Sequence, residues 1–395
     1  MTNKTKVLFV HDGPIARHTP TGHWYGDAYN DALRQRYLYL GTELTFLMRV
    51  KDVTDRDLSR YSRINDEHFS VVEAPNHKSV SSYFKNKSKA KQIVKEQVQS
   101  HDAIVIRLPS ALGNFAVLYA EQFGKPYLVE VVACPWNALW NHSFAGKVLA
   151  PFKYRTLQRN LQRAKYAIYV TTEFLQKRYP TKGMAIGLSD VEIQPGYDIA
   201  ERLAHISSKP VGEPYMLSTV GAVNMRYKGH RFVLRAIADL KKEGYGFQYH
   251  IVGGGDGSEL LEEAKRLNIE ESFVLKGKMQ HDKIFNWLEE IDLYIQPSET
   301  EGLPRALVEA MSRGCPSIGS DAGGIPELLD RDFIFANRNV AQLKSILRKL
   351  SKERLRKQAL LNYTKAQSFA KDELDRRRKD FYDTFLEQNN ISKNT

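Results

Sequence analysis

The sequence is poor in cysteine. Cys134 and Cys315 are the only two among 395 residues, and a pair so far apart implies neither a disulfide framework nor a zinc cluster. Long apolar runs are missing as well. No window approaches the ~18 uninterrupted apolar residues that a membrane-spanning helix needs. The apolar run near the start, Val7 to Val10, is too short for the core of a secretion signal. There is no low-complexity tract and no repeat at the ~20 to 50 residue periods of solenoids. These absences lead to the expectation of a reducing, cytoplasmic protein. What remains is an ordinary globular mixture, 42% hydrophobic and 26% charged, too apolar for a disordered chain. At about 100 to 200 residues per domain, the length suggests two domains. The formal charge of +12 favours anionic partners, whether phosphorylated metabolites, anionic lipid or nucleic acid.

Short apolar runs alternate with helical patterns along the whole chain. Strands are expected at 6–11, 44–50, 103–109, 127–132 and 166–171, then at 215–221, 249–255, 272–277, 293–298 and 316–321. Near-continuous apolar strands separated by helices imply parallel sheets covered on both faces. The fold class expected is therefore α/β, with two doubly wound, Rossmann-like domains facing a central cleft, where the carboxyl ends of the strands place ligands. The Ser, Pro and Gly content of SSKPVGEP (207–214) reads as the linker. Domains are expected at 1–208 and 209–370. A charged C-terminal helix, within 371–395 and striped by Leu374, Phe381 and Phe385, is expected to pack back on the first domain.

The chemistry concentrates in ETEGLPRALVEAM (299–311), where Glu301 and Glu309 stand eight positions apart around Gly302 and Pro304. Pro304 suits the first turn of a helix, and Gly302 permits a tight strand-to-helix junction. A helix start at a strand's carboxyl end suits phosphate. Two carboxylates flanking it, about 12 Å apart at 1.5 Å per residue, can accept hydrogen bonds from hydroxyls at both ends of a sugar-diphosphate-ribose molecule. The plainer reading is two solvated glutamates on a helix flank. Three neighbouring strand ends argue against it: a glycine turn at Gly253–Gly257 that includes Gly254, the loop GAVNMRYKGH (221–230) with Arg226 and Lys228, and SDAGGIPELL (320–329).

Together, PSETEGLPRALVEAMSRGCPSIGSDAGGIPELL and the preceding glycine turn and RYKG loop resemble the donor-binding signature of retaining GT-B glycosyltransferases, specifically glycosyltransferase family 4. The strong match covers about residues 215 to 330. VEVVACPWNALWNH and YVTTEFLQKRYPT in the first half are similar to bacterial capsule and O-antigen transferases. The resemblance implies that the first domain binds the acceptor and the second a nucleotide sugar, most often a uridine diphosphate sugar. It implies that Glu301 contacts the transferred sugar, with the backbone of Gly302 and Leu303 near sugar and phosphate, and that Glu309 holds the ribose hydroxyls. Lys228 would neutralise the departing diphosphate, no metal or other cofactor would be needed, and configuration would be retained through front-face departure of the nucleotide. The family's arginine after the glycine corresponding to Gly221 is Ala222 here, which leaves Arg226 as its substitute. A glycine-rich loop after the first strand would be HDGPIARHTPTGHWYG (11–26), with Gly22 as a donor contact. Its histidines, His11, His18 and His23, read as solvated.

Aligning VEVVACP puts Val132 or Cys134 where many relatives carry a histidine that reaches the sugar. Arg107 and His142 are the candidate replacements on the acceptor side. Lys78, Lys85, Lys87, Lys89, Lys91 and Lys95 crowd one stretch, and the stretch from Lys147 to Lys165 contains no acid. These are candidates for an anionic membrane surface that would present a lipid-linked saccharide acceptor, with Tyr83 and Phe84 inserting. Two other functions fit parts of the pattern: a nucleotide-sugar epimerase of related fold, and a basic nucleic-acid-binding protein. Against the latter, no helix-turn-helix, zinc or RNA-recognition signature occurs, so nucleic acid is not an expected partner.

Overall fold

The computed structural model describes residues 4–76, 80–140, 144–191, 193 and 195–392. His142 and Lys78, singled out above, lie outside them. The chain builds two sheets one after the other. The first holds β1 (Lys6–His18), β2 (Trp24–Gly26), β3 (Glu43–Val53), β4 (Ser62–Arg63), β5 (Phe69–Glu73), β6 (Ala103–Leu108), β7 (Tyr127–Val131), β8 (Tyr166–Tyr169) and β9 (Met184–Gly187), in the order β4-β2-β1-β6-β7-β8-β9, with β3 and β5 extending from β1 on its other side. The second holds β10 (Tyr215–Val220), β11 (Phe247–Val252), β12 (Phe273–Gly277), β13 (Leu293–Gln296), β14 (Ser317–Ser320) and β15 (Ile334–Phe335), in the order β12-β11-β10-β13-β14-β15. Apart from the short β2 and β4, every pairing is parallel. Helices cover both faces, which is why every residue of β6 and β7 is buried although both are continuous apolar runs apart from Arg107 and Glu130.

Two expectations from the sequence need correcting. The segment 11–26 is not an open glycine loop. β1 continues through a register shift between Val10 and Pro14, because β3 is long enough to offer Arg49–Val53 as a second set of partners. β1 then turns back at Thr19–His23 to pair with β2. Gly22 sits in that turn, with φ +71° and nothing within 4 Å of a Cβ built there. It does not line the cleft described below.

The passage between the sheets is also not at 207–214. The helix Ile199–Ser208 already belongs to the second unit: fully buried Arg202 donates to the carbonyls of Arg313 at 3.1 Å, Ile291 at 2.7 Å and Leu288 at 2.5 Å. The chain therefore crosses between β9 and that helix. The Ser, Pro and Gly residues that suggested a linker mark only the turn from helix to β10.

The chain crosses back once more. The helix Lys371–Gln388 docks on the first unit, where Tyr39 donates to Asp383 at 2.7 Å, Tyr166 to Gln388 at 2.7 Å, and Arg377 to the Gly187 carbonyl at 2.9 Å. Its stripe of Leu374, Phe381 and Phe385 is buried, with the Tyr166 and Phe385 rings edge to face at 5.0 Å.

Candidate active site

The carboxyl ends of the two sheets face each other across a cleft of about 510 Å³. One wall carries His11, Tyr29, Arg36, Arg107 and Asp190; the other carries His281, Glu301, Gly302, Leu303 and Glu309. A second hollow of about 410 Å³ shares Glu301 and Glu309 and adds Lys228, Gln296 and Pro304.

The second-unit wall is built where β13 ends. After Gln296 the chain runs without regular structure to Pro304, which caps the helix Arg305–Ser312. Glu301 is gripped at one oxygen, Oε1. Lys228 Nζ reaches it at 2.7 Å, Ser298 Oγ at 2.7 Å and Gln296 Nε2 at 3.1 Å. Charge-assisted donors hold a carboxylate at fixed orientation, and all three of these contacts fall on Oε1. Glu309, on the second turn of the helix, is buried except at the cleft and meets His281 Nε2 at 3.1 Å. The sequence-derived group of Glu301, Glu309, Gly302, Leu303 and Lys228 is thus brought together in one place.

The glycines around it serve close backbone approach more than ligand contact. A Cβ on Gly302 would lie 2.8 Å from the Val132 carbonyl oxygen of the opposite wall, and one on Gly253 would lie 1.9 Å from that of Gly221. A Cβ on Gly221 would meet the Lys228 side chain, 3.6 Å from its Cδ, whereas Gly254 is open. Arg226 points elsewhere: it pairs with Glu259 at 2.9 Å on the surface and lines neither hollow. Its pairing with Glu259 follows from the short 3-10 turn Arg226–Lys228, which sends the two basic side chains in different directions.

The first-unit wall holds Arg107, which the sequence singled out, together with groups that it did not reveal. Arg107, at the end of β6, is buried and bridges two acids, Asp190 by a short contact and Glu130 at 3.4 Å. Arg36 meets the other oxygen of Asp190 at 2.7 Å. Burial alone would raise the Asp190 carboxyl, but Arg107 and Arg36 outweigh it and hold the group down at about 2. His11 is not solvated. Its Nδ1 accepts from the Gly13 N–H at 2.8 Å and from the Tyr29 hydroxyl at 2.6 Å. That fixes the proton of the neutral ring on Nε2. Burial, assisted by Arg107 and Arg49 and opposed by Asp12, pulls the imidazole down to about 4. Burial also pushes the Tyr29 phenol up to about 12. Of the two positions where the resemblance led to the expectation of a histidine, Val132 lines the cleft, while Cys134 is buried against the Tyr179 hydroxyl at 3.1 Å. No signal along the chain links His11 with Tyr29, or Arg36 with Asp190; only the sheet order brings them together.

Glu299 was also overlooked. It is buried between Arg231 at 2.8 Å and Arg338, and it locks the segment leading to Glu301. Glu327 of the second unit reaches the first, accepting from the Thr172 N–H and hydroxyl, both at 2.7 Å, and from the Phe174 N–H. It thereby caps the helix Phe174–Arg178 across the cleft. Among the described residues, no group of three or more His, Cys, Asp or Glu side chains is placed to hold a metal ion.

Two facing Rossmann-like domains with a nucleotide-sized cleft define the GT-B class. Solved structures share this fold across the chain. Sucrose-phosphate synthase from Thermosynechococcus elongatus aligns with a TM-score of 0.71 at 16% identity, over 97% of this chain and 100% of that one. Anabaena HepE, solved with UDP and glucose, aligns with a TM-score of 0.63 at 16% identity, over 96% and 100%. In sequence, residues 214–353 match the family model described as glycosyl transferases group 1. Protein CapJ of Staphylococcus aureus is 32% identical over 356 residues, 88% of this chain and 87% of that protein. The amylovoran biosynthesis glycosyltransferase AmsK of Erwinia amylovora is 34% identical over 134 residues, 31% of this chain and 33% of that protein. The chain belongs to the group 1 glycosyltransferases and is a glycosyltransferase.

Proposed function

We propose that this enzyme is a retaining transferase of glycosyltransferase family 4 that moves a sugar from a uridine diphosphate sugar to a lipid-carried saccharide during assembly of a bacterial capsule or exopolysaccharide. The observation that carries the reading is the gripped Glu301 beside Lys228, with Glu309 facing the same cleft. In this reading Glu301 positions a hydroxyl of the transferred sugar and Glu309 takes the ribose hydroxyls. Lys228 moves from Glu301 towards the diphosphate as negative charge develops there, which is where a preorganised cation lowers the barrier most. Lys228 and the start of the helix Arg305–Ser312 supply the positive field, so no metal is required. Retention by front-face departure is supported by the engagement of Glu301 with three donors, which suits a positioning carboxylate better than an attacking one. Arg107 holds the acceptor-side wall. The biosynthetic context is supported by the names of the relatives, among them AmsK and the putative colanic acid biosynthesis glycosyltransferase WcaL of Salmonella typhimurium.

The test is a panel of uridine, guanosine and adenosine diphosphate sugars, with free nucleotide diphosphate as the readout and Glu309→Ala in parallel. Slow release from a uridine donor, unaffected by chelator and lost in the variant, is the expected result. Conversion of a donor to its epimer without nucleotide release would move the assignment to an epimerase. If no nucleotide is released or bound, the proposal fails.

A further inference from the structure

The helix Phe144–Arg163 carries an apolar face that no other described element covers. Phe144 is 84% exposed and Phe152 65% exposed, with Val148 between them and Trp140 and Leu149 beside them, all exposed. Phe144, Val148 and Phe152 recur every four residues, so they form one stripe. At about 100° per residue, Arg155 and Arg159 continue that stripe, and both are exposed. Lys147 lies over the Trp140 ring at 5.9 Å and Lys153 flanks the stripe. From Val131 to Thr172 the sequence contains no acid at all.

Exposed large apolar side chains in line with cations, on a segment that contains no acid, match one chemical surface, an apolar layer edged by negative charge. The location fits as well. A helix that follows a parallel strand starts at that strand's carboxyl end, so Trp140 and the first turns of Phe144–Arg163 lie at the rim of the cleft. The helix Val80–Ser100 starts at the same end after β5, with Phe84 70% exposed in its second turn and Lys85 and Lys87 beside it.

We infer that this face, centred on Phe144, Val148 and Phe152, rests on a bilayer containing anionic lipid and holds the cleft mouth against it. The inference rests on the lipid-carried acceptor proposed above and deepens it by naming the surface. It also relocates the contact: Arg155 and Arg159, within the acid-free basic stretch that the sequence suggested, are the polar end of the footprint, and the phenylalanines ahead of them are its anchor.

The purified full-length chain is sedimented with vesicles of phosphatidylcholine alone and of phosphatidylcholine mixed with phosphatidylglycerol. The protein is expected to pellet with the anionic vesicles, and less so as salt rises. Phe144→Ser with Phe152→Ser lowers that partitioning by about tenfold or more, and Arg155→Gln with Arg159→Gln weakens it and flattens its salt dependence. Both pairs are on exposed positions and leave nucleotide release from the donor unchanged, which separates lost lipid contact from lost folding. Equal partitioning of wild type and both variants overturns the inference. So does a concentration-dependent dimer, measured by analytical ultracentrifugation, that the phenylalanine variant abolishes in a chain that ignores vesicles, since the face would then belong to a second copy. Failure of the donor panel with vesicle binding intact would overturn the proposed reaction and leave this surface standing.

Discussion

At the scale of single residues, the two cleft walls differ in how charge is held. Lys228 is shared between Glu301 now and, in the proposed reaction, the departing diphosphate. Lys228→Ala is therefore expected to lower kcat by about 100- to 1000-fold, the range seen when one preorganised charge-stabilising group is removed, with a smaller change in KM, measured by steady-state nucleotide release. On the other wall, burial holds His11 at about 4, and it does the same to His230, which lies under the turn at Ala222. Both fold as neutral rings. Between pH ~6.5 and ~4 the unfolded chain binds protons that the folded chain does not, so stability rises with pH across that window and falls on acidification. The loss is on the order of 2 to 3 kcal/mol per histidine. His230→Gln should reduce the decline in melting temperature between pH 7 and 5. Asp190 acts in a separate window. Held at about 2, it stabilises above the ordinary carboxylate range and loses that contribution as pH falls from 3.8 through about 2. Glu301 and Glu309 were legible in the sequence because their spacing and glycine context are local. Asp190, Tyr29 and Glu299 were not, because each acquires its meaning from an arginine or histidine far away in the chain.

At the scale of elements, the hydrophobic pattern marked the buried parallel strands well, since a strand covered on both faces reads as an unbroken apolar run. Edge strands such as β4, β9 and β15 were invisible because they are too short, two, four and two residues, to show a pattern. The second half of β1 was misread because Gly13 and Pro14 look like loop punctuation, while its pairing is dictated by the length of β3. The helix Ile199–Ser208 was assigned to the wrong side of the junction for a similar reason: its anchor, Arg202, seeks carbonyls at 288, 291 and 313 that no local pattern shows. Those carbonyls have one buried guanidinium between them. Arg202→Met leaves them unsatisfied and is expected to cost about 2 to 4 kcal/mol in denaturant unfolding, with the loss borne by the second unit.

At the scale of the molecule, the two units touch at the Gly302 backbone against Val132 and at the Glu327 carboxylate over the start of the helix Phe174–Arg178. Glu327→Ala removes the acceptor for three donors and is expected to raise KM for the donor several-fold, while leaving unfolding of the separate cores almost unchanged; kinetics and calorimetry together check this. The chain itself also connects the two units. The chain leaves the first unit after β9 and returns before Lys371, and the two passages touch where the Tyr363 hydroxyl donates to the Tyr197 carbonyl at 2.8 Å. Two adjacent connections favour rotation about the line through them over a free swivel. The same layout makes the unit built on β10 to β15 an insertion within the first. Exchanging the second unit between relatives by recombination therefore needs two joints, one after residue 187 and one near 370. A single crossover in the loop at 207–214 would divide one folding unit and strip the other of its last helix.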